Sequence, residues 1–413
     1  MSNLRWPLAT DAGDEQELFP QGIRVVGKGE YRGLEFLEVD SKTIINEVPG
    51  PPRFGFQYTI NAYRGCSHRC SYCLTGDTPV LMSDLSVRPI SVLRRGDLVI
   101  GTALRGDTRT YAISRVLDQW RSIRRAYRIS TASGHSIVAS PDHRFLSNRG
   151  WKHVTGSMAG PNQRPYLTTR NSLRGLGPSV AGPKGGADYR IGYLTGMIRG
   201  DGNLGEYEYE LPGRSSNRVY RFRLALADVE ALDRSHLYLH ELGIQTDRFV
   251  FSQGSDHTRP MIAIRSQRRA TYERIRELIA WPSDPSEEWR RGFLGGIFDA
   301  EVSGHGRETI RIANRDEALV HRILAELRYF GFDAVVDRAD GEARSVRFRG
   351  GLREAVRFIQ LTDPAIPRKR LIAGAAVKTS ADLRITAIED LGIDVPMFDI
   401  TTETGDFIAD GVV

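Results

Sequence analysis

Two stretches a hundred positions apart constrain this chain more than anything else in it. Gly192-Tyr193-Leu194-Thr195-Gly196-Met197-Ile198-Arg199-Gly200-Asp201-Gly202 aligns without a gap on Gly292-Phe293-Leu294-Gly295-Gly296-Ile297-Phe298-Asp299-Ala300-Glu301-Val302. After each, the same order of signals recurs: a strand-like run (221–226 and 309–313), then an amphipathic helix ending at a glycine (230–244 and 317–332). A second strand (261–265 and 346–349) and a third helix, reaching Leu278 and Leu361, complete each copy. One unit used twice inside one domain predicts pseudo-twofold symmetry. Gly196 and Gly200 are four apart, as are Gly296 and Ala300. That spacing puts them on one face of a helix. Two faces without side-chain bulk let backbones approach closely, which sets Asp201 beside Glu301.

These lead stretches resemble the two signature helices of LAGLIDADG homing endonucleases. The resemblance implies an α/β endonuclease over residues 188–376, with Asp201 and Glu301 as catalytic acids holding Mg²⁺ for hydrolysis of DNA phosphodiesters. The partner it implies is double-stranded DNA with a long recognition site, and the chain is expected to be a monomer. Arg221, Arg223, Arg265, Arg347 and Arg349 fall on candidate strands. The alternation of Arg221 with Arg223, and of Arg347 with Arg349, places each pair on one strand face, suited to phosphate and guanine contacts. The pattern departs from the family at Arg199, Gly295 and Glu301. Lys369 and Lys378 are the candidates for an accessory lysine. A domain that binds DNA without cutting it is the alternative.

All three cysteines, Cys66, Cys70 and Cys73, lie within eight residues. Such clustering is no disulfide framework and favours a metal or catalysis. The C-x3-C-x2-C spacing presents three thiols to one centre, and zinc with His68 as fourth ligand stays open. A strand feeding such a loop resembles radical S-adenosylmethionine enzymes. That implies a [4Fe–4S] cluster on Cys66, Cys70 and Cys73, with S-adenosylmethionine on the fourth iron. The resemblance covers only the first strand and loop of a barrel, so residues 1–72 are expected to be the N-terminal fragment of a host protein.

Cys73 also opens a second motif, Cys73-Leu74-Thr75-Gly76-Asp77-Thr78-Pro79-Val80-Leu81. From here the texture is short strands at 78–82, 88–90, 97–100 and 127–130, with turn signals at Gly96-Asp97 and Gly106-Asp107. Ser140-Pro141-Asp142-His143 follows another strand, and strand texture returns at 384–388, 396–401 and 406–413. These stretches resemble the opening, second and closing blocks of an intein, a segment that excises itself from a precursor. The resemblance implies a multidomain chain: an all-β hedgehog/intein (Hint) horseshoe from residues 73–156 and 377–413, with the α/β endonuclease inserted. Residues 157–187, rich in Gly, Pro and Ser, read as a linker. Splicing needs no cofactor. The resemblance assigns Cys73 as the nucleophile on the Tyr72 carbonyl and His143 as the proton donor to the scissile nitrogen. Ser140 is to position the carbonyl, and Asp399 to steer protons. Gly405 and Asp406 stand where many members carry a histidine. The chain is expected to continue past Val413 to His-Asn-Cys, since only Cys restores the third thiol of the host motif.

Net charge is +6 and the basic residues are mostly Arg, which permits a nucleic-acid partner. No run of 18 apolar residues occurs, so no membrane span is expected. The first residues lack signal-peptide character, and a cytoplasmic location is expected.

Overall fold

The computed structural model describes residues 73–413 apart from 157–163, 212–213, 256, 303–309 and 339–342, together with four short strands nearer the start. The chain divides into two compact units, Met1–Cys70 and Ser71–Val413. In the first, β1 (Ile23–Val26) pairs antiparallel with β2 (Glu35–Glu38), and β3 (Ile45–Glu47) with β4 (Tyr58–Ile60). A short strand, Tyr58–Ile60, thus precedes the cysteine loop. Cys66, His68 and Cys70 lie outside the described residues.

The second unit opens with a β frame. Its strands are β5 (Leu74–Thr75), β6 (Pro79–Leu81), β7 (Val87–Pro89), β8 (Leu98–Arg105), β9 (Thr108–Thr131), β10 (Ser136–Ala139), β11 (Arg144–Ser147), β12 (Gly150–His153) and β13 (Ser172–Arg174). An insert follows: α1 (Ala187–Asp201), β14 (Gly202–Leu211), β15 (Arg214–Leu226), α2 (Val229–Glu241), β16 (Asp247–Ser252), β17 (Met261–Ser266) and α3 (Arg269–Leu278). Its second half holds α4 (Glu287–Glu301), β18 (Arg311–Asn314), α5 (Glu317–Tyr329), β19 (Ala334–Arg338), β20 (Arg344–Phe348) and α6 (Gly351–Thr362). The frame then resumes with β21 (Thr379–Thr402). Eight frame strands form one sheet in the order β12-β11-β13-β21-β5-β10-β9-β8, and β21 also pairs with β9.

The two longest strands exceed what periodicity suggested. The sequence marks only 127–130, yet β9 runs for 24 residues beside the equally long β21. Its middle, Arg121 to Arg125, is mostly charged and has no apolar alternation to read. Cross-strand partners hold it instead: Arg125 Nε donates to Asp390 Oδ1 at 2.7 Å and Arg128 to Glu389 at 3.2 Å. Such exposed pairs add little energy individually but favour one register. A second difference lies in the expected linker. Ser172–Arg174 is a frame strand wedged between β11 and β21, with Leu167, Asn171 and Leu173 buried. Three residues are too few for a period of two to show. The backbone then meets the closing segment so tightly that a Cβ on Gly411 (φ +76) would lie 1.6 Å from the Gly177 carbonyl oxygen. Only glycine fits there.

The insert repeats itself as expected. The sheet β14-β15-β17-β16 packs against α1 and α2; β18-β20-β19 is its counterpart beside α4 and α5. The lead helices touch along their whole length. A Cβ on Gly192 would meet the Trp289 carbonyl at 2.0 Å, and one on Gly196 the Phe293 carbonyl at 2.4 Å. One on Gly292 would meet Tyr189 O at 2.0 Å, and one on Gly296 Tyr193 O at 2.1 Å. Both helices begin together, where the Ser286 hydroxyl caps Trp289 N–H and donates to Asp188, and both end at their acids.

Arg199 has a structural task. Its guanidinium donates twice to the Ile279 carbonyl at the end of α3 and lies 3.9 Å from the Trp281 ring centre. Insert and frame share a core, in which Leu81, Leu85 and Ile408 pack with α4, α5 and α6. Leu85 is 1% exposed in a left-handed conformation (φ 67), and its carbonyl accepts Gln360 Nε2–H at 3.2 Å.

Candidate active sites

The first site forms where β5 enters the frame. Leu74 stands opposite Ala139 on one side and Phe398 on the other, so the register brings Cys73 level with Ser140 and with Asp399. Two strands that lie later in the chain, one 67 residues on and the other hundreds, thus flank one residue. Cys73 is fully buried. Its N–H donates to Ser140 Oγ at 3.1 Å, and its carbonyl accepts the Ser140 N–H at 2.8 Å. Ser140 therefore holds the nitrogen of Cys73. The antiparallel register sets this hydroxyl against the N–H. His143 shares the Ser140 turn, its N–H donating to the Ser140 carbonyl at 3.1 Å, and its buried ring rests on Phe145.

The sulfur points to residues that sequence reasoning did not select. Sγ lies 3.2 Å from Ser122 Oγ, and the Arg124 guanidinium acts on it by hydrogen bonding and charge. Met397 pairs with Ser122, and Asp399 with Trp120, so these residues share one face of the β9–β21 ladder. Nothing in the charged middle of β9 signals that Ser122 and Arg124 turn inward. Burial pushes the Cys73 thiol up. Ser122 and Arg124 pull the other way, while the Asp399 charge adds to the rise. Of the three-thiol set, only Cys73 has a described position, and its sulfur is enclosed by frame residues. Asp406 is an anchor. It accepts from the Thr102 N–H at 2.6 Å and pairs with Arg109 at 3.1 Å.

The second site lies where α1 and α4 end. A Cβ on Gly200 would stand 2.6 Å from the Ala300 Cβ and 3.4 Å from Glu301 Oε1, so the Glu301 carboxylate reaches across to the last turn of α1. Asp201 meets solvent on one side, yet crowding by protein pushes its carboxyl up to about 6, with Lys369 opposing. Burial also raises Glu301 and the Asp201 charge adds to it, while a hydrogen bond from Asn314 and the charge of Lys369 oppose. Lys369 donates to the Phe298 and Asp299 carbonyls, and burial lowers its ammonium. Of the two lysines considered from sequence, this is the one the fold sets near the acids. Two hard carboxylate donors, the charge of one raising the other's proton affinity, suit a divalent cation. Among the described residues no group of three His, Cys, Asp or Glu side chains gathers. Asp299, buried between Tyr193 and the Ala365 and Ile366 N–H groups, is structural.

The expected arginines divide. Arg221 and Arg223 on β15 and Arg265 on β17 face outward, opposite the buried Phe222, Leu224 and Ile264, and Arg223 pairs with Arg265. Each lies over an aromatic ring: Tyr207 at 5.2 Å, Phe251 at 4.6 Å and Phe249 at 4.4 Å. In the second sheet Arg347 is bound to Asp337 at 2.7 Å, and Arg349, just past β20, lies 3.8 Å from Asp333. Arg311, opposite Arg347, adds an exposed cation that the sequence reading missed. No helix among the described residues is long and apolar enough to cross a membrane.

No protein-family model matches the chain. Among curated proteins, an uncharacterised protein of Mycobacterium tuberculosis is 43% identical over 56 residues, 14% of this chain and 16% of that protein. The replicative DNA helicase DnaB of Rhodothermus marinus is 37% identical over 107 residues, 24% of this chain and 11% of that protein. The chain thus spans about a sixth or less of the curated relatives it matches. Among solved structures, I-DmoI in complex with DNA and Mn covers 43% of this chain and 98% of its own, at 17% identity and a TM-score of 0.35. The N-terminal LAGLIDADG domain of DUF199/WhiA covers 43% and 83%, at 16% identity and a TM-score of 0.33.

Proposed function

We propose that this chain is a self-processing precursor: an intein-like β frame that opens the Tyr72–Cys73 bond, interrupted by a LAGLIDADG-type endonuclease that cuts double-stranded DNA. What carries the first half is the register that sets Cys73 between Ser140 and Asp399. In the reaction, Cys73 Sγ bonds to the Tyr72 carbonyl carbon and the Tyr72 C–N bond breaks. The thiol loses one proton and the nitrogen gains one, so an amide becomes a thioester with no net change. Ser140 holds the nitrogen, His143 is the donor to it, and Asp399 receives the thiol proton. Burial raises the thiol, so a neighbouring acceptor is needed. Dithiothreitol should intercept the thioester and release a fragment ending at Tyr72, read by mass spectrometry. Release that persists in Cys73→Ala defeats this reading.

The endonuclease half is supported by Asp201 and Glu301 at the ends of two touching helices. They would hold Mg²⁺, which supplies an activated water and charge stabilisation for phosphodiester cleavage. Arg221, Arg223 and Arg265 would bind backbone phosphates. Cleavage of a randomised duplex pool should require Mg²⁺ and be lost in Asp201→Asn and in Glu301→Gln, while binding stays and weakens steeply with salt. Residues 1–72, with Cys66 and Cys70, are read as a fragment of a radical S-adenosylmethionine host. Its [4Fe–4S] cluster would belong to the spliced protein.

A further inference from the structure

The two acids are not equivalent, and the difference has a structural cause. Asn314, the last residue of β18, donates from Nδ2 to Glu301 Oε1 at 2.5 Å. Its own orientation is set from the other side, where Oδ1 accepts the Asp316 N–H at 2.7 Å. Asp316 caps α5, accepting from Ala318 N–H at 2.9 Å and Leu319 N–H at 3.3 Å. A line of hydrogen bonds thus runs from the first turn of α5 to one oxygen of Glu301. Among the described residues the other half has no such line. Leu226 stands three residues before Val229, the start of α2, as Asn314 stands three before Glu317, the start of α5. Leu226 is apolar and buried. Asp201 therefore has a short arm and no side-chain amide, whereas Glu301 has one more methylene, and one more torsion to fix, together with Asn314.

We infer that Asn314 is a positioning residue that fixes the longer Glu301 arm, so that its carboxylate meets Asp201 across Gly200 as a second aspartate would. The inference rests on the paired-acid reading above. A free glutamate would sample several rotamers and present an oxygen to a cation only part of the time. A hydrogen bond to one oxygen fixes the plane of the group and leaves the second oxygen for the ion. Partners of this kind, which touch the ligand residue and not the ion, typically change affinity by roughly 10–100-fold when removed.

The test uses the full chain and Mn²⁺ alone, with free Mn²⁺ read by electron paramagnetic resonance. Asn314→Leu, which copies Leu226, should weaken binding roughly 10–100-fold. Asn314→Ser keeps an oxygen for the Asp316 N–H but cannot reach Glu301. It should keep the wild-type urea midpoint and still bind weakly, which separates positioning from folding. Glu301→Asp, whose short arm needs no amide, should bind close to wild type, and adding Asn314→Leu to it should cause no further loss. Unchanged Mn²⁺ affinity in Asn314→Ser, or additive losses in the double variant, overturns the inference. If wild type binds Mn²⁺ no better than the Asp201→Asn/Glu301→Gln double variant, the paired-acid reading itself falls.

Discussion

At Asp201 the fold holds a carboxyl where water solvates it poorly, pushing it from 3.8 to about 6. The folded state therefore binds the extra proton between those values, and this contribution to stability falls as pH rises from about 4 to about 6. Without divalent metal, Asp201→Asn should be at least as stable as wild type above about pH 6 and show no advantage below about pH 4, read from urea midpoints. Divalent binding should follow the opposite course and fade as the carboxyl protonates. His135 is the complementary case. Its Nε2 lies 2.8 Å from Asp410 Oδ2, and that partner raises its affinity for a proton above the ordinary value. The pair's contribution is complete below about pH 6.5 and is lost as pH climbs through the folded value. Asp410 lies on the closing turn, with its N–H on the Pro79 carbonyl. Intrinsic-rate-corrected hydrogen exchange at Asp410 and Val412 should thus be slower at about pH 6 than above about pH 8. Asp410→Asn, which tolerates the left-handed φ of 49, should remove the difference.

At the level of elements, the α1–α4 contact depends on absent side chains. A methyl on Gly196 would be driven into Phe293 O at 2.4 Å and Ile297 N at 2.5 Å, both backbone and unable to turn aside. Gly196→Ala should cost roughly 1–3 kcal/mol or more by forcing the helices apart, and it should also separate the acids. Chemical denaturation and Mn²⁺ binding should both register it. Were both unchanged, the close packing of these helices would be wrong. This contact was legible in advance because spacing by four on a helix is a local property. The β9–β21 ladder was not, because its register comes from partners more than 250 positions away, such as Arg125 and Asp390.

Across the whole molecule, insert and frame are joined by more than their connecting chain. Leu85 in the β6–β7 turn lies in the same core as Phe298, Phe348 and Phe358, and Gln360 bridges the Leu85 carbonyl and the Val180 N–H. Leu85→Ala should destabilise the full chain by about 2–5 kcal/mol, measured by denaturant unfolding, although Leu85 lies far in sequence from the helices it packs on. Excision of the insert should leave a frame with Leu81, Leu85, Leu176 and Ile408 uncovered. Such a frame should bind a hydrophobic dye and unfold at lower denaturant than the intact chain.

The repeat, the small-residue spacing, the acid at each helix end and the motif residues Cys73, Ser140, His143 and Asp399 were all determined by the sequence, because period and spacing act locally. Tertiary structure alone decided that Ser140 holds the nitrogen of Cys73, that Ser122 and Arg124 meet its sulfur and that Ser172–Arg174 belongs to the frame. It alone also decided that Asn314 grips Glu301. Each of these depends on the register between strands, or on a side chain crossing between elements. A residue's own neighbours do not encode which face it shows to a strand hundreds of positions away.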